Sequence, residues 1–281
     1  MWGITTYFNP AKYKNKLENY RRFVESFPLP LLTVEVSSSD FELKEGDCTR
    51  LVQIRGQDCL FQKEACINLG AKLLDCENVV WVDADLIWPN DRWVGKTIRA
   101  LDTFTLVQPF KYAIRLPENG QLKATVRNGS DAGQRQIGFG CRRRGHPGFV
   151  WAAKRQLLVD VGLYPFHILG GGDTLMAHAS IGKVDASGSA TWPDFAEWVI
   201  RWYDAVQSLV GYADGVVYHL WHGNQKDRQY NSRYTLLDGV GHFVALNADG
   251  IVETTNEKLL KICQDYMLSR KEDNDVLGQP I

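Results

Sequence analysis

The run Asn78-Val79-Val80-Trp81-Val82 carries no charge and leads directly into Asp83-Ala84-Asp85. No other feature of the chain restricts its fold as strongly. A short apolar stretch rich in valine reads as a buried strand. Side chains i and i+2 of a strand share a face, so Asp83 and Asp85 are expected to present two carboxylates to one place. Two such acids at the end of a buried strand suit a hard divalent cation with a phosphate as co-ligand, or sugar hydroxyls. The plain alternative is a strand followed by a polar turn, because short D-x-D patterns are common.

The residues before this run set its context. Trp2 to Phe8 reads as a strand, and Asn9-Pro10 offers a helix cap with proline at the first helical position. Tyr13, Leu17, Tyr20, Val24 and Phe27 follow at helical spacing. Leu31 to Val36 is a second strand, Ser37 to Arg55 reads as a polar loop, and Leu60, Ile67, Ala71 and Leu74 mark a second helix. Pro89-Asn90-Asp91 opens a further helix to about Leu101. This alternation predicts an α/β protein with a largely parallel sheet. Ligands of such sheets bind beyond the carboxyl ends of the strands, where Thr5 to Asn9 and the two acids lie.

The later chain is less regular. A strand is expected over Leu106–Tyr112 and a mobile loop or hairpin over Asn119–Gly148. Ala152–Val161 reads as a short helix, and Pro193–Leu209 as a helix with Phe195, Trp198, Trp202 and Val206 on one face. A strand at Val216–Leu220 and helices at Lys226–Leu237 and Thr255–Leu268 complete the pattern. There are no repeats and no long linkers, so 281 residues read as a single domain.

Composition excludes some functions. A net charge of -1 gives no global attraction to nucleic acid, so any polyanion must meet a local patch. No apolar run reaches the roughly 18 residues of a membrane span, and the first residues lack a signal-peptide pattern. A soluble, cytoplasmic protein is expected. None of the 6 cysteines forms a C-x-x-C pair, which favours reduced structural thiols over a zinc site.

Three more segments carry polar chemistry. Lys63, in Phe61-Gln62-Lys63-Glu64-Ala65-Cys66-Ile67-Asn68-Leu69-Gly70, lies off the apolar face of its helix and could meet a phosphate. In Ile168-Leu169-Gly170-Gly171-Gly172-Asp173-Thr174 the glycines allow close backbone approach to a ligand, and Asp173 is either a helix cap or a functional acid. In Tyr218-His219-Leu220-Trp221-His222-Gly223, two histidines precede a glycine turn. A basic stretch with Lys226, Arg228 and Arg233 follows, suited to phosphate oxygens.

Together these segments resemble the GT-A class of nucleotide-sugar-dependent glycosyltransferases over about residues 1–235. Phe61-Gln62-Lys63 to Asn68-Leu69-Gly70, followed by Asp83-Ala84-Asp85, is similar in order to the F-N-R-A-x-x-x-N-x-G and D-x-D motifs of the metazoan galactosyltransferases. Gly171-Gly172-Asp173 resembles the start of their G-G-E-D acceptor motif, with Thr174 in place of the second acid that usually serves as base. Thr5-Thr6-Tyr7-Phe8-Asn9-Pro10, the His219–Arg233 block and the tail at Ser269–Asp273 resemble phage and bacterial relatives of the enzyme that glucosylates hydroxymethyluracil in DNA.

The resemblance implies a single GT-A domain, a Rossmann-like mixed sheet with helices on both faces. It has a donor half (1–110), an acceptor and metal-closing half (111–235) and a C-terminal helical closure (236–281). It implies donor binding by Thr5, Thr6, Phe8, Arg55, Lys63, Asp83, Asp85 and Arg228, with Mn2+ or Mg2+ held by Asp83, Asp85, His219 and His222. Asp173 is the expected base, and Gly171, Gly172, Arg142, Arg143, Arg144 and His146 the expected acceptor contacts. The expected partners are a nucleotide-sugar, best a UDP-sugar, and hydroxymethylated DNA. A bacterial glycan or protein acceptor, nucleotidyl transfer and a non-catalytic nucleotide-sugar-binding module are the competing readings.

Overall fold

The computed structural model describes residues 1–118, 135–184, 192–230, 232–240 and 243–273. Positions 119–134 of the expected hairpin or loop lie outside the described residues. The chain runs β1 (Trp2–Tyr7), α1 (Lys14–Ser26), β2 (Leu31–Ser37), β3 (Arg50–Arg55), α2 (Lys63–Leu73), β4 (Asn78–Val82), β5 (Leu86–Ile87), α3 (Arg92–Ala100), β6 (Leu106–Gln108) and β7 (Tyr112–Arg115). It continues with β8 (Arg135–Ile137), β9 (Val150–Lys154), α4 (Arg155–Asp160), α5 (Gly172–Ala179), α6 (Phe195–Val206), β10 (Val210–Tyr212) and β11 (Val216–His219). Two 3-10 turns, Gln225–Arg228 and Arg233–Leu237, lead to β12 (Ala245–Leu246), β13 (Val252–Glu253) and α7 (Glu257–Ser269).

Seven strands form a mixed sheet in the order β10-β6-β9-β4-β1-β2-β3. Strand β9 is antiparallel to β4 and β6, and the other neighbours are parallel. Alternation along the central strands divides two cores. Val79, Trp81, Trp151, Ala153 and Leu106 enter one, with residues of α2, α4, α5, α6 and α7. Val80, Val82, Val150, Ala152 and Val107 enter the other, with Phe23 of α1 and Trp93 of α3. The sheet therefore has helices on both faces, as expected. All six cysteines are free thiols. No helix among the described residues is long and apolar enough to cross a membrane.

A second sheet, β5-β11-β7-β8, lies beyond the end of β4. Its register puts His219 opposite Leu86, and the Leu220 amide donates to the carbonyl of Asp85 at 2.8 Å. Residues 219–222 are thus carried to the paired acids.

Several local expectations change. The predicted loop 37–55 ends in β3, an edge strand in register with β2. Its Arg-Leu-Val-Gln-Ile-Arg sequence is too polar to announce itself. Helical spacing is misleading at Val150–Lys154, where Ala152 and Ala153 lie in a strand buried between β4 and β6. Only Arg155–Asp160 is helical. Asn9 does not cap α1: its side-chain oxygen accepts from the Tyr13 amide at 3.0 Å, and the helix begins at Lys14. The strand expected over 106–112 divides between β6 and β7, which belong to different sheets.

Candidate functional site

The ends of β1, β4 and β11 open onto one cavity of about 540 Å³, within the size range of small-molecule sites. Two polar groups line it.

The first group centres on Asp85. His222 Nε2 lies 3.0 Å and His219 Nε2 3.5 Å from Asp85 Oδ2, and the two Nε2 atoms are 2.9 Å apart. Burial pushes both imidazoles well below the usual histidine range, so they are neutral lone-pair donors. Asp85 Oδ1 is buried without a hydrogen-bond partner. One carboxylate oxygen and two imidazole nitrogens, all within 4.8 Å of one another, fit a divalent ion.

Cations surround this group. Lys16, Arg115, Arg228 and Arg270 line the same cavity. Arg228 contacts His222 and donates to Glu272 Oε1 at 2.9 Å, and Arg270 pairs with the same oxygen at 2.5 Å. Buried Glu272 is held far below the carboxylate range: burial opposes its ionisation, but Arg270 and Arg228 outweigh it. Gly223 (φ 92) allows this tail to approach, because a Cβ there would lie 2.7 Å from the Lys271 carbonyl. Lys16 sits 4.7 Å over the Phe8 ring, and burial pushes its ammonium down to about 8.

The second group centres on Lys63, only 6% exposed. Its ammonium lies 2.6 Å from Asp83 Oδ1 and 2.7 Å from Asp173 Oδ2. Burial alone would weaken its hold on the proton, but the Asp173 and Asp83 carboxylates outweigh burial and keep it charged. Burial raises both acids, with Lys63 opposing. The motif around Lys63 builds this arrangement. The Asn68 side chain both donates to and accepts from Leu163 at 2.7 Å, and the Phe61 amide donates to the Ile168 carbonyl at 2.8 Å. Helix α2 is thereby fastened to the segment that delivers Gly170–Asp173.

Glu64, beside Lys63, packs against Gly172 and leaves no room there for a Cβ. Its Oε2 is buried without a partner, and burial pushes the carboxyl up to about 8. Folding therefore takes up a proton at Glu64 between the unfolded value of 4.5 and about 8, and its contribution to stability falls as pH rises through that window. Glu64→Gln should be more stable than wild type by about 1–3 kcal/mol at pH 7, with the gap closing below pH 4.5. Paired urea titrations across pH measure this; a constant gap would contradict the assignment.

The expected site residues divide. Thr6, Phe8, Lys63, Asp83, Asp85, Arg228, His219, His222, Gly171, Asp173 and His146 line the cavity. Asp83 is held by Lys63, outside the Asp85–His219–His222 group, because the acids lie in the turn between β4 and β5 and strand alternation no longer applies. Thr5 is a correction: it is buried and donates to the Val82 carbonyl at 2.7 Å, tying β1 to β4. Arg55 is another: it is exposed and stacks on Phe41 at 4.1 Å, away from the cavity. Gly172 serves packing against Glu64. Arg143 donates to the carbonyls of Phe139, Gly140 and Val210, so it holds the loop together; Arg142 and Arg144 are exposed outside the cavity. His146 stacks on Phe149 at 4.1 Å, and burial pushes it down to about 3, so it brings no positive charge. The sequence reading missed Lys16, Arg115, Glu64, Arg270 and Glu272. The last two lay within the quoted tail, and an arginine and a glutamate two residues apart there was the available signal.

No protein-family model matches the chain, and no curated protein matches it. Among solved structures, it is similar to S. aureus TarS 1–349 in complex with UDP-GlcNAc, with a TM-score of 0.44 and 13% identity. That match covers 80% of this chain and 59% of that one. It is also similar to glucosyl-3-phosphoglycerate synthase from Mycobacterium tuberculosis in complex with Mn2+, UDP-glucose and phosphoglyceric acid, with a TM-score of 0.42 and 15% identity, covering 84% and 78% of the two chains. A mycobacterial protein gives a TM-score of 0.44 at 18% identity, with 84% and 73% covered. These overlaps are loose, and the functional reading rests on the side chains of the cavity.

Proposed function

We propose that this chain is a metal-dependent glycosyltransferase that moves a sugar from a nucleotide-sugar, of UDP type, to an acceptor hydroxyl. One observation carries the reading: the Asp85–His219–His222 donor set shares one cavity with Lys16, Arg228, Arg270 and Asp173. Asp85, His219 and His222 would hold the ion, and two imidazoles favour Mn2+ over Mg2+. When bound, such an ion neutralises charge on the diphosphate leaving group.

The chain's own residues supply the rest. Lys16, Arg228 and Arg270 bind the anionic part of the donor. Thr6 and Phe8, at the end of β1, border the nucleotide. Lys63 fixes the positions of Asp83 and Asp173. An acceptor hydroxyl ionises only at high pH, so an inverting transfer needs a carboxylate to take its proton as the bond forms; Asp173 holds that position. Nucleotidyl transfer is less well supported, because Thr5-Thr6-Tyr7-Phe8-Asn9-Pro10 after β1 is not a glycine-rich phosphate loop. Metal-dependent hydrolysis of a UDP-sugar without acceptor separates an enzyme from a binding module.

For the acceptor we carry forward the hydroxymethyl group of a modified pyrimidine in DNA, supported by the sequence resemblance and by exposed Arg142 and Arg144; a bacterial glycan or protein is the alternative. The test is a panel of UDP- and GDP-sugars with Mn2+, offered to hydroxymethylated DNA and to a glycan extract and read by mass spectrometry. Sugar gained by either pool supports transfer and identifies the acceptor; no gain and no donor hydrolysis would remove the enzyme reading. DNA binding should weaken steeply with salt and with Arg142→Ala or Arg144→Ala. Indifference to both would remove DNA.

A further inference from the structure

Arg233 takes no part in either group. It opens the 3-10 turn Arg233–Leu237, is 8% exposed, and lines the cavity beside Gly170, Gly171 and Asp173. Its guanidinium lies against the Tyr230 and Tyr234 rings, 5.2 and 5.7 Å from their centroids. The Tyr234 hydroxyl is itself anchored on the Gly170 carbonyl at 2.6 Å. The two rings hold the guanidinium in place. Its Nε is buried without a partner, and among the described residues no carboxylate lies within ion-pair distance.

Three other cations of the cavity are paired within the protein. Lys63 is shared by Asp83 and Asp173, and Arg228 and Arg270 by Glu272. A buried guanidinium without a counter-charge costs several kcal/mol. A ligand that brings the missing charge offsets that cost.

The backbone beside it has the matching polarity. Gly171 adopts φ 106 at the start of α5, Gly172–Ala179. The first N–H groups of a helix have no partner within it, and the helix dipole favours an anion there. A Cβ on Gly171 would come within 2.7 Å of Arg233 Nη2, so a side chain at this position would crowd the guanidinium. Asp173 follows two residues later.

We propose that Arg233 and the Gly170–Gly172 turn form an oxyanion seat for the acceptor, which carries a phosphate or carboxylate in addition to the hydroxyl that faces Asp173. The proposal rests on the glycosyl-transfer reading for the word acceptor; the seat itself is tested without it. An oxyanion at Arg233 and a hydroxyl at Asp173 would fix a small or polymeric acceptor at two points. That arrangement favours anionic acceptors over neutral sugars.

The test is calorimetric titration of inorganic phosphate, and separately acetate, into the full chain, without nucleotide and with saturating UDP and Mg2+. With the donor end filled, phosphate should still bind the wild type, and Arg233→Met should weaken it by about tenfold or more. Arg233→Lys, which keeps the charge and loses the fork, should fall between; it also serves if the methionine variant is poorly folded. UDP binding should be the same in all three. Acetate competing as well as phosphate identifies a carboxylate seat, and phosphate alone a phosphate seat. Phosphate binding that is absent, or unchanged in both variants, overturns the proposal, as does loss of UDP binding in Arg233→Met, which would place the arginine at the donor. If UDP and metal fail to bind the wild type, the donor reading falls; the nucleotide-free titration still decides the seat through the same comparison with Arg228→Met, which must weaken phosphate less than Arg233→Met.

Discussion

Asp173→Asn should lower sugar transfer by about 100- to 10,000-fold, the range for losing a positioned general base, while UDP still binds with metal about as tightly as to wild type. The carboxylate is in the first turn of α5, 2.7 Å from Lys63, and lines the cavity that also holds the Asp85 group. Asparagine keeps the shape and can still accept from Lys63, but it cannot take a proton. The donor residues are untouched, so calorimetry with UDP separates loss of chemistry from loss of binding. Donor hydrolysis should fall less than transfer, since water needs no positioned acceptor. Transfer within a factor of a few of wild type would remove Asp173 from the proton-transfer role and favour a retaining reaction.

Lys63→Met should destabilise the fold by about 3–5 kcal/mol, the cost of removing one partner from a buried ion pair. In a chain of this size that corresponds to roughly 10 °C in melting temperature. The two carboxylates that share the ammonium have side chains 29% and 20% exposed, so solvent relieves only part of the loss. Without Lys63 they face each other uncompensated, and their folded-state affinity for a proton rises. The deficit should therefore grow as pH rises and shrink as pH falls and one of them takes up a proton. Thermal unfolding of both proteins at several pH values measures this. A change of less than about 1 kcal/mol, or one independent of pH, would show that Lys63 is solvated and that the cluster is not formed.

Much of this was legible in the sequence because it depends on local order. The buried strand β4, the helix carrying Lys63, the glycine turn before Asp173 and the histidines around Trp221 each show in a few consecutive residues. What the sequence hid has physical causes. Strand alternation implied that Asp83 and Asp85 act together, yet the chain turns after Val82 and sends one to Lys63 and the other to the histidines. Thr5 and Arg55 sit near strand ends, as donor ligands would, but one bonds the neighbouring strand and the other stacks on the surface. Lys16 and Glu272 come to the cavity from near opposite ends of the chain, joined there because Asn15 donates to the Trp221 and Glu272 carbonyls, each at 3.1 Å. No local pattern encodes that meeting. Strand β9 was hidden by two alanines whose helical preference the flanking strands override.

Mn2+ binding tests most directly whether Asp85, His219 and His222 hold a divalent ion. Free Mn2+ would be followed by its electron paramagnetic resonance signal as protein is added, with and without UDP, for wild type, Asp85→Asn and His222→Ala. Wild type should bind one Mn2+, more tightly when UDP is present, and each variant should lose about 100-fold or more in affinity. Mn2+ binding that is unchanged in both variants, or UDP binding that needs no ion, would contradict this assignment.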